Sequence, residues 1–309
     1  MPRWNPAGLH CYVTGGSQGL GLELALLLVK ERAHVSIVAR DQSKLDAAIR
    51  QLEDVRVDES QIIRAYSFSL NTAEGAEAAL TAASVPHEGR VPDALFLCAG
   101  SARPGFFVEE TPAGLQSAFD NVYWVQAWSA LTAAKTYAKQ RAKGKIVFVS
   151  STVGLMGLIG YSSYAPAKHA LRGLADTLRS ELSLYGVDVQ IFFPPTMQSP
   201  GYENENKTKP KITLKIEEDD KGLSCAVAAR GMLEGVKQGQ AHITADFINT
   251  LLRATMRGAA PYNNIVLDTI YACIGNIALP DWRRGVDKLI VKHRKEHEEY
   301  LQQKGFWND

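Results

Sequence analysis

The chain has 309 residues, of which 46% are hydrophobic and 22% charged, and its formal net charge is +1. That length allows one large α/β domain or two small ones with a sizeable core, and the balanced charge argues against nucleic acid or another polyanion as partner. Four scattered cysteines (Cys11, Cys98, Cys225, Cys273), with no Cys-x-x-Cys and no histidines at ligand spacing, predict reduced thiols in a cytosol-facing protein and no metal site.

Residues 1–10 hold Arg3 and no apolar run, so neither a cleavable leader nor an N-terminal span is expected. The apolar run 9–13 predicts a buried strand. It leads into Thr14-Gly15-Gly16-Ser17-Gln18-Gly19-Leu20-Gly21, and a helix follows with Leu22, Ala25, Leu26, Leu28 and Val29 on its apolar positions. In such a strand–turn–helix unit, Gly15, Gly19 and Gly21 let the backbone approach a dinucleotide pyrophosphate at the helix N-terminus. A plain structural turn fits the same spacing. Residues 34–39 predict the second strand, with Arg40 directly after it. Ala39 offers no carboxylate to a ribose 2′-hydroxyl, whereas Arg40 can pair with a 2′-phosphate, helped by Ser17 and Lys44. The alternative is a solvated surface arginine.

Further strands are expected at 62–70, 92–100, 145–151, 187–193 and 241–244. Helices are expected at 41–52, 73–84, 112–142 (carrying Asn121) and 161–185. Strands alternating with helices predict an α/β fold, a doubly wound (Rossmann) parallel sheet of about seven strands. Ser151 then stands at the C-terminal end of the fifth strand, where ligands of such sheets sit.

Tyr164 and Lys168 are four residues apart, hence on one helix face. An ammonium beside a phenol lowers the phenol's pKa from about 10. A tyrosine so tuned can give a proton to a carbonyl oxygen, or take one from an alcohol, near neutral pH. Ser151, thirteen residues upstream, can donate a second hydrogen bond to that oxygen. In isolation, Tyr-x-x-x-Lys would be an ordinary helical pair.

Residues 199–222 mix Gly201, Asn204, Asn206 and Pro210 with Glu203, Glu205, Lys207, Lys209 and Lys211, and their first half lacks periodicity. They are expected to form a loop, either a substrate lid or a floppy surface segment. Beyond a domain ending near 245, Phe247, Ile248, Leu251, Leu252 and Met256 lie at helical spacing, with Arg253 and Arg257 opposite. Ile265, Val266, Leu267, Ile270, Ile274 and Ile277 repeat the pattern up to Pro280. Asn263, Asn264, Asp268 and Asn276 interrupt any stretch of about 20 apolar residues, so spanning is disfavoured. A helical extension over 246–309 is expected to lie on a membrane surface, with Trp282, Arg283 and Arg284 at the headgroups. A dimer face or a cover for the pocket is the alternative.

Taken together, Thr14-Gly15-x-x-x-Gly19-x-Gly21, Asn121, Ser151, Tyr164-x-x-x-Lys168 and Pro194-Pro195 resemble the short-chain dehydrogenase/reductase family over roughly residues 8–245. Within it, Val38-Ala39-Arg40, Cys98-Ala99-Gly100, Ser199-Pro200-Gly201-Tyr202 and the apolar extension look most like the 3-ketodihydrosphingosine reductase branch. The resemblance implies NADPH as cofactor and reduction of the 3-keto group of a long-chain lipid ketone. It also implies a site at the endoplasmic reticulum membrane with the catalytic domain facing the cytoplasm. Another hydrophobic carbonyl (steroid, retinal or xenobiotic) or a non-catalytic NADPH-binding scaffold are the rival readings.

By the same resemblance Tyr164 is the general acid, and Lys168 lowers its pKa and binds the nicotinamide ribose. Ser151 orients the ketone, Asn121 holds a water linking Lys168 to solvent, and Ser199 binds the carboxamide. The helices bearing Asn121 and Tyr164 would form a homodimer or homotetramer interface. Three departures stand out: Cys98 where the family has asparagine, Pro195 where it has glycine, and Ser69-Leu70 where many members have Asp-Val.

Overall fold

Seven strands pair side by side in a computed structural model that describes residues 3–307. Met1 and Pro2, the start of the segment expected to hold no leader, and Asn308 and Asp309, the end of the extension, lie outside the described residues. The strands are β1 (His10–Thr14), β2 (His34–Ala39), β3 (Ile63–Ser67), β4 (Ala94–Leu97), β5 (Gly144–Val149), β6 (Val187–Phe193) and, after two short strands described below, β9 (His242–Thr244). All pair in parallel in the order β3-β2-β1-β4-β5-β6-β9. The central strands are continuous apolar runs because both faces are covered: every residue of β1 and β4 is buried. One core cluster holds Leu95, Leu97, Ile146 and Phe148, and the other holds Val13, Phe96, Val147 and Phe192, so alternate residues of one strand serve opposite layers.

Strand order reverses between β1 and β4, and that crevice is where a doubly wound sheet binds ligands. Helix α1 (Gly19–Lys30) starts there. The covering helices are α2 (Gln42–Asp54), α3 (Ala73–Ser84), α4 (Pro112–Phe119), α5 (Val125–Gln140) and α6 (Tyr164–Glu181). The stretch expected as one helix over 112–142 is divided by a π-helical turn, Asp120–Trp124, that contains Asn121. Helix α6 begins at Tyr164, three residues later than expected, so the tyrosine occupies its first turn.

The 199–222 segment is not a loop. Strand β7 (Met197–Gln198) precedes α7 (Pro200–Asn206) and α8 (Lys211–Ile216), and β8 (Leu223–Ser224) pairs with β7 at its base. The Ser199 hydroxyl accepts from Tyr202 N at 3.1 Å and Pro200 takes the first helical position, a start signal that the surrounding charges hide. Helix α9 (Cys225–Lys237) then returns the chain to β9.

The extension forms α10 (Phe247–Thr255), α11 (Ile265–Lys292) and α12 (Arg294–Gln303). Two expectations fail here. Helix α11 runs through Pro280 rather than stopping before it. A helical proline takes away the N–H that residue i−4 needs, here Asn276, and Asn276 is exposed so water can serve its carbonyl. Arg253 does not lie on a solvated face. It is buried against Asp268, one of the polar residues read as interrupting an apolar stretch.

Candidate active site

The turn after β1 is shaped by backbone approach. Gly15 has φ +66°, and a Cβ on it would lie 3.0 Å from the Ala99 amide nitrogen, in the turn after β4. A Cβ on Gly21 would fall 2.4 Å from the Gly15 carbonyl oxygen. Both positions therefore exclude a side chain. Gly19 (φ +58°) is different: its nearest neighbours are Ser199 Cβ at 3.7 Å and Cys225 Sγ at 4.0 Å, which leaves a shallow cradle beside it. Gln18, the residue before α1, makes no side-chain cap, so the first N–H groups of the helix stay available to an anion. The residues present fit a dinucleotide pyrophosphate.

Arg40 is exposed at the C-terminal end of β2, and its guanidinium makes no ion pair among the described residues. Its carbonyl accepts a bond from the Ser67 hydroxyl at 3.0 Å, which fixes the backbone there. Lys44 Nζ donates to Gln18 Oε1 at 3.0 Å, tying the start of α2 to the glycine turn. Ser17 is half-buried in that turn. Ser17 and Lys44 thus stand at the turn, with Arg40 at the end of the neighbouring strand.

At the end of β5 two serines take different roles. Ser150 is buried and its hydroxyl donates to the Lys168 carbonyl at 3.0 Å, pinning α6 to the sheet. Ser151 lies beside the Tyr164 phenol. Lys168 is buried on α6, its Nζ 5.4 Å from the centre of the Tyr164 ring, and donates to the Val149 carbonyl at 2.8 Å. Ser151, Tyr164 and Lys168 thus converge.

The expected acidified phenol is not what the site shows. Burial pushes the Tyr164 phenol above its ordinary value, the charge of Glu205 adds to that rise, and the Ser151 hydrogen bond opposes it. Burial also drives the Lys168 ammonium down to about 7. Desolvation penalises both charged forms, and it is the largest influence on each when both groups are packed away from water.

Asn121 sits in the π-helical turn, a device common at functional sites. Its side chain is committed: Nδ2 donates to the Ser117 carbonyl at 2.8 Å, and Oδ1 accepts from Asn71 at 3.2 Å. Its main-chain oxygen would lie 3.5 Å from a Cβ on Gly100, and Lys168 Nζ 3.8 Å from the same point. The carbonyl, rather than the amide, is the Asn121 atom that shares space with Lys168. Ser199 is near Gly19, with its hydroxyl capping α7. Cys98 is a packing residue whose thiol burial pushes up to about 12, far from a reactive thiolate.

Sequence reading missed a polar cluster around Tyr161, next to Tyr164. The Tyr161 hydroxyl donates to Glu205 Oε1 at 2.5 Å and to Glu217 Oε1 at 3.2 Å. Lys209 Nζ, fully buried, stands 2.6 Å from Glu217 Oε2 and 3.4 Å from Glu205 Oε1. The i,i+4 spacing of Glu205 and Lys209 was the available signal; its burial was not visible in a stretch so rich in charge.

A family model described as short chain dehydrogenase matches residues 10–210. The chain is 41% identical to 3-ketodihydrosphingosine reductase TSC10 of Cryptococcus neoformans var. neoformans serotype D, covering 99% of this chain and 93% of that protein. It is 33% identical to 3-dehydrosphinganine reductase of Danio rerio, covering 84% and 77%. Among solved structures, levodione reductase superposes with a TM-score of 0.69 at 20% identity, covering 78% of this chain and 96% of that one. A short-chain dehydrogenase from Sphingobium yanoikuyae in complex with NADPH superposes with a TM-score of 0.65 at 22% identity, covering 76% and 87%. At those identities the superpositions speak to fold alone. With a glycine turn, a serine, a tyrosine and a lysine drawn together at the strand ends, and relatives alike along nearly the whole length, the chain belongs to the short-chain dehydrogenase/reductase family.

Proposed function

We propose that the chain is an NADPH-dependent reductase that converts the 3-keto group of 3-ketodihydrosphingosine to the alcohol, a step of sphingolipid synthesis. The observation that carries this reading is the convergence of Ser151, Tyr164 and Lys168 beside the glycine turn. Relatives of that name, similar over nearly the whole chain, support the substrate. Bound in the crevice, the nicotinamide supplies a hydride to the carbonyl carbon.

The rest is the work of this chain's residues. Gly15, Gly19 and Gly21 would hold the pyrophosphate, Arg40 with Ser17 and Lys44 the 2′-phosphate, and Ser199 the carboxamide end. Ser151 and Tyr164 donate to the ketone oxygen and stabilise the charge that develops there. A phenol raised by burial stays protonated at neutral pH, so its proton is in place for the ketone oxygen, and giving it up leans on Lys168 to settle the tyrosinate. Lys168, titrating at about 7, can share its proton with the tyrosinate left behind. The Asn121 carbonyl holds a water for the return path. The test is NADPH oxidation with 3-ketodihydrosphingosine against a short-chain ketone, in detergent. Turnover on the short ketone alone would overturn the lipid assignment.

Cofactor choice has its own test. Arg40→Ala is expected to raise the KM for NADPH by about tenfold, the worth of one charged contact to phosphate, while NADH use changes little. An unchanged NADPH/NADH ratio would remove Arg40 from phosphate reading.

The extension is read as a membrane-surface element, on the cytoplasmic face of the endoplasmic reticulum. Val266, Ile270, Ile274 and Ile277 lie on one face of α11 and all are exposed, Ile277 by 77%. No helix among the described residues is long and apolar enough to cross a membrane. A lipid ketone would be delivered from such a surface. Flotation with liposomes should carry the protein, and Ile270→Glu with Ile274→Glu should abolish it. Equal flotation of the variant would refute surface binding through this stripe. A homodimer or homotetramer through the α5 side is part of the same reading, supported by the half-buried Trp124–Trp128 stack, with ring centres 4.6 Å apart, and the exposed Leu131.

A further inference from the structure

The polar cluster around α7 and α8 holds more acidic than basic groups. Two carboxylates, Glu205 and Glu217, share the single ammonium of Lys209, whose side chain has no solvent exposure, while the carboxylates keep 18% and 14%. Lys209 also lies 4.4 Å from the centre of the Tyr202 ring, which closes the far side of the cluster. Burial raises the Glu217 carboxyl, so a proton there can offset part of the surplus, and the Glu205 carboxylate is the one left for a further cation to meet. Glu205 spends Oε1 on Tyr161 and Lys209, and no hydrogen bond among the described residues reaches its Oε2.

The cluster adjoins the reacting centre. The Tyr161 ring, hydrogen-bonded to Glu205, has its centre 6.0 Å from that of Tyr164. Independently, the Glu205 charge is felt at the Tyr164 phenol and helps to raise it. A ligand whose carbonyl oxygen rests on Ser151 and Tyr164, and which carries a cation on the neighbouring carbon, would bring that cation to the carboxylate side of Tyr164.

We infer that Glu205 is a specificity residue that receives the ammonium group on the carbon next to the ketone, so the site selects α-ammonium ketones over plain ketones of equal chain length. This rests on the proposed reduction of 3-ketodihydrosphingosine, whose amine stands on the carbon beside the carbonyl. Glu217 and Lys209 position Glu205 by fixing Oε1 and leaving Oε2 to the ligand. Recognition of this kind discriminates strongly, because an analogue lacking the polar group leaves the buried partner unmatched. The arrangement also accounts for the buried and half-buried charges held around α7 and α8, where an apolar cover would have sufficed for a lipid chain.

The experiment compares kcat/KM for 3-ketodihydrosphingosine and for the same ketone without the amine, using the full chain with NADPH. The wild-type enzyme should prefer the amino ketone by about tenfold or more. In Glu205→Gln, which keeps the shape and a bond to Tyr161, that preference should collapse towards unity, and Glu205→Asp should restore part of it. NADPH binding and the thermal midpoint report whether each variant is folded. If Gln destabilises the segment, Lys209→Met supplies a second test: it frees Glu205 of its cation and should change the preference, whereas a structural role alone would depress both ketones equally. A wild-type enzyme that reduces both ketones equally, or a folded Glu205→Gln with its preference intact, would overturn the inference while leaving the reductase reading in place. Inactivity on both ketones would overturn the reductase reading itself.

Discussion

Tyr164→Phe should lower kcat by about 10² to 10⁴, the usual worth of one positioned proton donor, and leave NADPH affinity within experimental error. The substitution removes one oxygen and keeps the ring. That ring packs against Tyr161 and the Val153 cluster, so the fold around the site should survive. Ser151 would still offer one hydrogen bond to the ketone, which sets a floor under the residual rate. Burial holds the phenol protonated, so the loss should be the same across neutral pH and should not be rescued by acid. Stopped-flow NADPH oxidation gives the rate, and cofactor fluorescence titration gives the affinity. A variant that turns over normally would mean that another group delivers the proton, and the assignment of Tyr164 would fall. A variant that no longer binds NADPH would mean that the hydroxyl serves the cofactor first.

The parts of this molecule that could be read from the chain are those fixed by local rules. Strands buried on both faces carry apolar runs, so β4 and the stretches 11–13 of β1, 146–149 of β5 and 191–193 of β6 announce themselves. The glycine turn is legible because Gly15 and Gly21 admit no Cβ. Ser151 is legible by its thirteen-residue distance from Tyr164, while its neighbour Ser150 turns its hydroxyl to the Lys168 backbone. What could not be read depends on partners distant in sequence. The titration of Tyr164 and Lys168 is governed by how deeply both are packed, which four-residue spacing does not reveal. The charges of 199–222 looked solvated, yet Lys209 is enclosed by carboxylates from both flanks and α7 and α8 form around them. A π-helical turn at Asn121 adds a residue to a helix without altering its composition, so the sequence carries no mark of it.

The largest expected loss of stability comes from one joint. Arg253 on α10 and Asp268 on α11 are 2% and 3% exposed, and both guanidinium end nitrogens face the carboxylate, with Nη1 to Oδ2 at 3.1 Å. The Asn263 amide donates to the same Oδ2 at 2.9 Å. Burial disfavours the Asp268 charge, but the Arg253 hydrogen bond and the Asn263 amide outweigh it and hold the carboxyl below its usual value. Its contribution is therefore present above the ordinary carboxylate range and is lost as pH falls through the lowered value. Asp268→Ala leaves a buried guanidinium with no counter-charge, and such breakages cost about 3–5 kcal/mol. The damage should be local before it is global. Gly275 shows how closely α11 sits on α10, since a Cβ there would meet Thr255 Cγ2 at 2.6 Å, and α11 in turn reaches the substrate-side loop through Arg283 and the Gly157 carbonyl at 3.2 Å. Losing the joint should thus free the extension to proteases and raise the KM for the lipid ketone, while NADPH binding, proposed for the crevice between β1 and β4, persists. Replacing both partners by apolar residues, Arg253→Met with Asp268→Leu, should recover most of the stability, because the cost lies in the unpaired charge rather than in the lost pair. Urea unfolding of the three proteins decides the matter: a single variant within 1 kcal/mol of wild type, or a double variant worse than the single, would show that α10 and α11 are held by apolar packing alone.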